Sequence, residues 1–182
     1  NDAVKPNTSG MAALIGKNST YIQKLIDENN FEIEIANDNS PIQVVISGDM
    51  EEIKKNKEFF LQNSVKKYII LNVSAAFHSK YMNEAQNILG SEIDKVTFNE
   101  NDIKIISNFN AMETNKISNL KFALKNQMSN KVKWTESILK LEKMGESKII
   151  EIGPNKVLSG LIKRISNSFD IKSINSVSDL DQ

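Results

Sequence analysis

The 182-residue chain carries 23 basic and 23 acidic side chains, one histidine and no cysteine, and 40% of its residues are hydrophobic. This composition is typical of a globular protein. A net charge of zero gives no excess of positive charge with which to bind nucleic acid or an anionic membrane. The lack of cysteine excludes disulfides and a thiolate nucleophile, and a single histidine argues against zinc, so we expect no metal and no cofactor. The apolar runs are far shorter than the ~20 residues that span a bilayer, which predicts a cytoplasmic protein.

The first part of the chain alternates between strand and helix periodicities. Short apolar or alternating runs predict strands, and apolar residues at helical spacing predict the helices between them. We expect strands at residues 10–15, 31–36, 43–47 and 66–72, helices at 18–29 and 53–61, and a turn at 37–41. The order β-α-β-β-α-β is that of a ferredoxin-like subdomain, which we assign to residues 9–72.

The second part, residues 73–175, combines amphipathic helices with isolated strands. Helices are expected at 81–93, 117–128, 132–144 and 157–165, and strands at 103–108, 148–152 and 171–175. Three strands are fewer than a self-contained parallel sheet normally has. We therefore interpret this part as belonging to a larger domain, followed by a polar tail at 176–182.

His78, the only histidine, follows a predicted buried strand and precedes a helix. Such loops are where α/β proteins place reactive side chains, and a neutral imidazole can accept a proton from a hydroxyl. Position alone still favours the alternative of a structural, hydrogen-bonded histidine. The 182 residues contain no G-x-S-x-G elbow, the usual setting of a nucleophilic serine, so serine chemistry would need residues from elsewhere.

Four blocks of the sequence together resemble malonyl-CoA:acyl carrier protein transacylases. They are residues 9–16 (SGMAALIG), 37–48 (NDNSPIQVVISG), 73–79 (VSAAFHS) and 151–158 (EIGPNKVL). The resemblance implies an α/β (α+β) fold, in which the ferredoxin-like subdomain is followed by the C-terminal portion of an α/β-hydrolase-like acyltransferase subdomain. It also implies a function in fatty acid biosynthesis. The enzyme would move a malonyl group from coenzyme A, through an acyl-serine, to the phosphopantetheine thiol of acyl carrier protein.

The resemblance gives roles to three residues. His78 matches the catalytic base, and Gln127 matches the position whose main-chain carbonyl holds that base in place of an acidic residue. Phe77 resembles the aromatic residue of malonyl-selective members, whose ring would crowd an α-methyl branch. From the residues alone, Gln127 could be a solvated helix end and Phe77 a core residue. Ile42 and Asn155 replace common glycines of the family; the first puts the local turn in doubt, whereas asparagine tolerates a left-handed conformation.

The nucleophile elbow, the oxyanion-hole loop and the malonyl-binding arginine of the family would precede Asn1. We therefore expect the C-terminal part of a transacylase, inactive by itself, in which Arg164 is a solvated residue near a helix end. The expected partners are malonyl-CoA and acyl carrier protein, with no nucleic acid and no membrane, and the complete protein is expected to be a monomer. Two alternatives stay open: a non-catalytic ferredoxin-like binding module and the acyltransferase domain of a polyketide synthase.

Overall fold

Residues 8–180 are described by the structure, a computed structural model with a mixed α/β fold. Its first half is a four-stranded antiparallel sheet with the strand order β2-β3-β1-β4. The strands are β1 (Ser9–Ile15), β2 (Ile33–Ser40), β3 (Gln43–Asp49) and β4 (Lys67–Ile70). Together with the helices between them, they give the β-α-β-β-α-β arrangement of a ferredoxin-like fold, so the predicted fold class is confirmed.

Three helices accompany this sheet: α1 (Ser19–Glu28), α2 (Met50–Lys55) and α3 (Lys57–Gln62). Asn18 caps α1 by accepting a hydrogen bond from the amide of Tyr21 at 2.9 Å. The prediction of one continuous second helix is wrong, because Asn56 interrupts it. The buried Asn56 side chain donates to the carbonyl of Glu52 at 2.9 Å and so competes with the helical ladder.

Both faces of the sheet are covered. On one face, Leu14 and Ile46 of the sheet pack against the helices, α3 contributes Phe60, and all three side chains are fully buried. The other face carries smaller side chains, among them Ala13 and Ala36. Small residues allow the loops and helices of the second half to approach this face closely.

The second half contains α4 (Asn83–Lys95), α5 (Ile117–Gln127), α6 (Trp134–Lys143) and α7 (Val157–Ile165). Its strands form two separate pairs. The antiparallel pair is β5 (Ile105–Ile106) with β6 (Glu113–Thr114), and the parallel pair is β7 (Lys148–Ile152) with β8 (Asp170–Ile174). Among the described helices, none combines the length and the apolar character that crossing a bilayer requires.

Two of the strands predicted from apolar runs are shorter and more exposed than such runs suggest. Of residues 103–108 only Ile105 and Ile106 form a strand, and the side chain of Ile103 is 72% exposed. Of residues 66–72 only 67–70 form β4, in which Tyr68 is buried while Ile69 and Ile70 are not. The physical reason is the same in both cases. Each strand has only one hydrogen-bonded neighbour, so too few neighbouring residues are present to cover all of its apolar side chains.

The predicted turn at residues 37–41 is shorter than expected. Strand β2 continues to Ser40 through two register shifts, since Asn37 and Asp38 pair with Val45 and Val44 of β3. Ile42 is absent from the described residues with positive φ, so this turn has no need of glycine there. Asn155 has a φ of 73°, a left-handed conformation that asparagine tolerates.

Residues 177–179 of the polar tail form a 3₁₀ turn. Ser176 caps this turn, and the carboxylate of Asp179 accepts hydrogen bonds from the amides of Asn175 and Ser176. These bonds hold the pKa of Asp179 below its usual range, with the Asn175 amide as the largest contribution. Residues 181–182 lie outside the described part.

Candidate active site

The loop that carries His78 lies between β4 and a 3₁₀ turn at Lys80–Met82. His78 has a φ of 59°, a left-handed conformation that residues other than glycine adopt at a cost. Its amide donates to the carbonyl of Met128 at 3.1 Å, and the Ser79 hydroxyl donates to the carbonyl of Ala76 at 2.6 Å. Ala76 and Ser79 are fully buried. The backbone around His78 is therefore held in place from both sides, while the ring is half-buried.

The imidazole of His78 contacts the C-terminal end of α5. Its Nδ1 lies 3.1 Å from the main-chain oxygen of Gln127, the last residue of that helix. Carbonyls in the last turn lack helical partners and carry the negative end of the helix dipole. Because a carbonyl oxygen can only accept, the contact assigns the hydrogen to Nδ1 of the neutral ring and leaves Nε2 unprotonated. Nε2 makes no hydrogen bond within residues 8–180, so it is available as a proton acceptor.

The chain segment after α5 is tied to the edge of the sheet. The amide of Val132 donates to the carbonyl of Ala36 at 2.8 Å, and the amide of Asp38 donates to the carbonyl of Val132 at 2.9 Å. The nearly buried carboxylate of Asp38 accepts hydrogen bonds from the hydroxyls of Ser19 at 2.5 Å and Thr135 at 2.8 Å. A buried carboxylate satisfied in this way links α1, β2 and α6. The sequence pattern suggested a turn at Asp38 and gave no sign of this link.

The structure brings two of the three predicted site residues into contact. His78 meets the main-chain oxygen of Gln127, whereas the Gln127 amide group is exposed and donates to the carbonyl of Asn130 at 3.1 Å. Phe77 is 37% exposed, so it is not a buried core residue. Arg164 lies in the last turn of α7 and donates to the side chain of Gln43 at 2.8 Å. The catalytic roles of His78 and Gln127 and the selectivity role of Phe77 stay predictions.

Glu151, in the EIGPNKVL block, has a structural role. Its carboxylate accepts hydrogen bonds from the amides of Leu158 at 2.9 Å and Ser159 at 2.8 Å, and from the Ser159 hydroxyl. These bonds, with that from the Ser159 hydroxyl the largest, hold the pKa of Glu151 below its usual range. The first turn of α7 is thus capped by a side chain from β7. An acidic residue six positions before a helix start is the signal that could have indicated this cap.

Ser9 is a second residue that the sequence did not single out. It is 1% exposed, and its Oγ accepts a hydrogen bond from the amide of Ala76 at 3.1 Å. Within residues 8–180, no group of three or more acidic or histidine side chains could hold a metal ion. The candidate site, as described, is one imidazole bound to a main-chain carbonyl, on a loop held by main-chain and serine contacts.

Comparison with known proteins places this arrangement in context. Residues 4–182 match the acyl transferase domain family. The chain is 45% identical over 160 residues to the polyketide biosynthesis protein PksE of Bacillus subtilis, covering 87% of the chain and 21% of that protein. It is 35% identical over 171 residues to a malonyl CoA-acyl carrier protein transacylase of Synechocystis, covering 93% of the chain and 57% of that protein.

A solved structure is also similar. The acyl-carrier-protein S-malonyltransferase of Burkholderia pseudomallei superposes with a TM-score of 0.93 at 31% sequence identity. The match covers 99% of the chain and 59% of that structure. The chain therefore spans little more than half the length of these two transacylases, and a smaller share of PksE.

Proposed function

The chain belongs to the acyl transferase domain family, and we propose that it supplies the general base of a malonyl-CoA:acyl carrier protein transacylase of fatty acid biosynthesis. The observation that carries this function is the 3.1 Å contact between Nδ1 of His78 and the Gln127 carbonyl, because it leaves Nε2 free to accept a proton. The names of the malonyl-transferring relatives support the choice of substrate and of carrier protein.

In the first half-reaction, Nε2 of His78 takes the proton of a serine hydroxyl as that oxygen attacks the thioester carbonyl of malonyl-CoA. The tetrahedral intermediate collapses, the carbon–sulfur bond breaks, and the imidazolium returns the proton to the sulfur of coenzyme A. These 182 residues contain no G-x-S-x-G elbow, so we assign the serine to polypeptide outside them.

In the second half-reaction, Nε2 takes the proton of the phosphopantetheine thiol. The thiolate attacks the malonyl-serine ester, and the serine oxygen leaves with the proton from the imidazolium. In both halves the ring carries a positive charge for a short time. The Gln127 carbonyl, at the negative end of the α5 dipole, stabilises that charge and keeps the ring oriented.

Phe77 is proposed as a wall of the acyl pocket, because it directly precedes the base and is not buried in the core. A ring at this position would crowd the α-methyl group of methylmalonyl-CoA, and one methyl group contributes about 1 to 3 kcal/mol of discrimination. In the complete enzyme, Phe77→Ala should therefore raise the kcat/KM for methylmalonyl-CoA relative to malonyl-CoA by ~10-fold or more. An unchanged ratio would remove Phe77 from the pocket.

We further propose the division of the chain into a ferredoxin-like subdomain at 9–72, an acyltransferase part at 73–175 and a tail at 176–182. We also propose that the complete protein is a cytoplasmic monomer. Limited proteolysis would test the boundary, since a cut near residue 72 should release the compact sheet with its helices.

A second candidate is malonyl transfer in polyketide biosynthesis, which the 45% identity to PksE supports. The two candidates share the same base and differ in the carrier protein that receives the malonyl group. Comparing kcat/KM for a fatty acid carrier protein and for a polyketide carrier protein separates them. Preference for the polyketide carrier would favour the second candidate.

The decisive experiment replaces His78 in the complete protein that contains this chain. Removing a general base typically lowers turnover by ~10²- to 10⁴-fold, so both His78→Ala and His78→Gln should lose malonyl transfer to that extent. Circular dichroism would verify that the variants are folded. Unchanged formation of the acyl-enzyme in His78→Ala would rule out the base role.

The isolated 182-residue chain provides a complementary test. After incubation with malonyl-CoA, we expect mass spectrometry to detect no covalent adduct, because the nucleophile is assigned to other polypeptide. A malonyl adduct on the isolated chain would refute that assignment and place the nucleophile within these residues.

A further inference from the structure

The hydrogen bond between Ser9 and Ala76 joins the sheet to the loop of the proposed base. Ser9 is the first residue of β1, and Ala76 lies 67 positions later, two residues before His78. The Ser9 Oγ accepts the Ala76 amide at 3.1 Å, while the Ser79 hydroxyl donates to the Ala76 carbonyl at 2.6 Å. Both main-chain polar groups of this buried residue therefore depend on serine side chains, and leaving a buried amide without a hydrogen-bond partner is destabilising.

We infer that Ser9 is a positioning residue, which sets the place of the His78 ring through the Ala76 amide. The catalytic consequence rests on the proposed function, whereas the effect on ring geometry does not. His78 has a positive φ that its own sequence does not favour, so this backbone needs external contacts to persist. The Ser9 bond is the side-chain contact that links the loop to β1, in addition to the main-chain bond from Leu71 to Met11 where the loop begins.

The partner of the ring is fixed to the same sheet. The end of α5 leads into Val132, which exchanges hydrogen bonds with Ala36 and Asp38 of β2. Strands β1 and β2 lie on either side of β3, two strand spacings or about 9.6 Å apart. The loop of His78 is bound to β1 through Ser9, and the end of α5 is bound to β2 through Val132. The sheet therefore acts together with the direct bond from the His78 amide to the Met128 carbonyl in setting the distance between Nδ1 and the Gln127 carbonyl.

Ser47 is a matched control on the same face of the sheet. It lies on β3 opposite Met11, and Ser9 precedes Met11 by two positions, so both serines point to one side. Ser47 is fully buried, but its Oγ has no hydrogen-bond partner within the described chain. Ser9→Ala and Ser47→Ala each remove one buried oxygen, yet only the first removes a partner of the His78 loop.

The tautomer of His78 is the direct readout. Because His78 is the only histidine, ring ¹⁵N signals from the histidine-labelled chain report on this residue alone. At alkaline pH, where imidazole is neutral, the wild-type ring should carry its hydrogen on Nδ1. Ser9→Ala should shift the population toward the mixture of tautomers of a free histidine side chain, Ser9→Thr should restore the wild-type pattern, and Ser47→Ala should match wild type.

A wild-type tautomer in folded Ser9→Ala would overturn the inference, as would an equal shift in Ser47→Ala. If Ser9→Ala does not fold, Ser9→Cys gives the same comparison, since sulfur keeps the bulk but is a weaker acceptor. In the complete enzyme, Ser9→Ala should lower kcat by ~10- to 100-fold, the scale of a small misplacement of a catalytic group. A shifted tautomer with unchanged kcat would uphold the positioning and contradict the base role instead.

Discussion

The two halves of the chain bury their apolar residues very differently. In the ferredoxin-like half, α1 alone buries Ile22, Leu25 and Ile26 against the sheet. In the second half, α4 buries only Ile93 among its described residues, and Ile152 of the parallel strand pair is 80% exposed. Parallel sheets are normally covered on both faces. The first half is thus stabilised by its own core, whereas the second owes its position to contacts with the first, and the candidate site lies where they meet.

The largest expected effect tests the core of the first half. Phe60 is fully buried and packs on the rings of Phe59 and Tyr68, with centroids 5.8 and 5.9 Å away. Phe60→Ala should lower the free energy of unfolding by about 3 to 5 kcal/mol, because it removes a buried ring and leaves a cavity. Phe122 of α5 is 59% exposed, so Phe122→Ala should cost about 1 kcal/mol or less. Similar urea midpoints for the two variants would contradict the difference between the halves.

A smaller effect is expected from one buried hydroxyl. Tyr68 donates to the carbonyl of Ile53 at 2.6 Å, and burial raises its pKa well above the usual range. Tyr68→Phe leaves that carbonyl unsatisfied and should cost about 1 to 3 kcal/mol at neutral pH. Above pH ~10 the stability deficit of Tyr68→Phe should shrink, because the tyrosine of the unfolded chain ionises there and wild-type stability falls.

Tyr81→Phe is the control for this variant, since the Tyr81 hydroxyl has no hydrogen bond within residues 8–180. Urea unfolding at pH 7 and above pH 10 measures both. Equal losses in the two variants would show that the Tyr68 hydrogen bond contributes nothing specific to the first half.

The sequence predicts the first half well, because its periodicities are produced by its own core. Alternating residues of β2 and the helical spacing of α1 correspond to contacts within about sixty residues of chain. The failures occur where a distant contact decides the local structure. Asp38 extends β2 because it binds Val132 and Thr135, and nothing in the neighbouring sequence indicates partners more than ninety residues away. In the second half, apolar composition at 103–108 suggests burial that the described fold does not provide.

The candidate site also combines features that the local sequence indicates with features that depend on distant contacts. His78 could be named as a candidate from its position in a loop after a strand, but position alone favours a structural histidine, and the base role comes from the resemblance. Its contact with a main-chain carbonyl has no local signature, since every residue has a carbonyl and only the fold decides which one faces the ring. The roles of Ser9 and Asp38 likewise depend on bonds across 67 and 97 positions.

A pH-dependent effect is expected from the cap of α7 in the second half. Hydrogen bonds, first that from the Ser159 hydroxyl, lower the folded-state pKa of Glu151, so its carboxylate stabilises the fold above the ordinary glutamate value of ~4.3. That contribution is lost as the pH falls through the lowered folded-state value. The melting temperature of wild type should exceed that of Glu151→Gln at pH 7, and the gap should close as the pH falls below ~4.

Glu146→Gln removes an exposed carboxylate that bonds no other described residue, which makes it the matched control. The two melting curves should be recorded across the same pH series. If the melting temperature of Glu151→Gln equals that of Glu146→Gln at every pH, the cap does not stabilise α7, and other contacts must hold the second half in place.

The smallest effect is expected from the Gln127 side chain, because both the resemblance and the structure involve only the main-chain carbonyl of this residue. Gln127→Ala removes an exposed hydrogen bond to the Asn130 carbonyl and keeps the carbonyl that faces His78. The change should stay within ~0.5 kcal/mol, about a factor of two in malonyl transfer, with the Nδ1–H tautomer retained. Met128→Pro is the opposite variant, because proline disfavours the helical conformation of the preceding residue and should turn the Gln127 carbonyl away from the ring. Loss of the Nδ1–H tautomer in Gln127→Ala would mean that the amide side chain orients the base. The geometry of the site between the two halves would then depend on that side chain and not on the hydrogen bonds of Ser9 and β2.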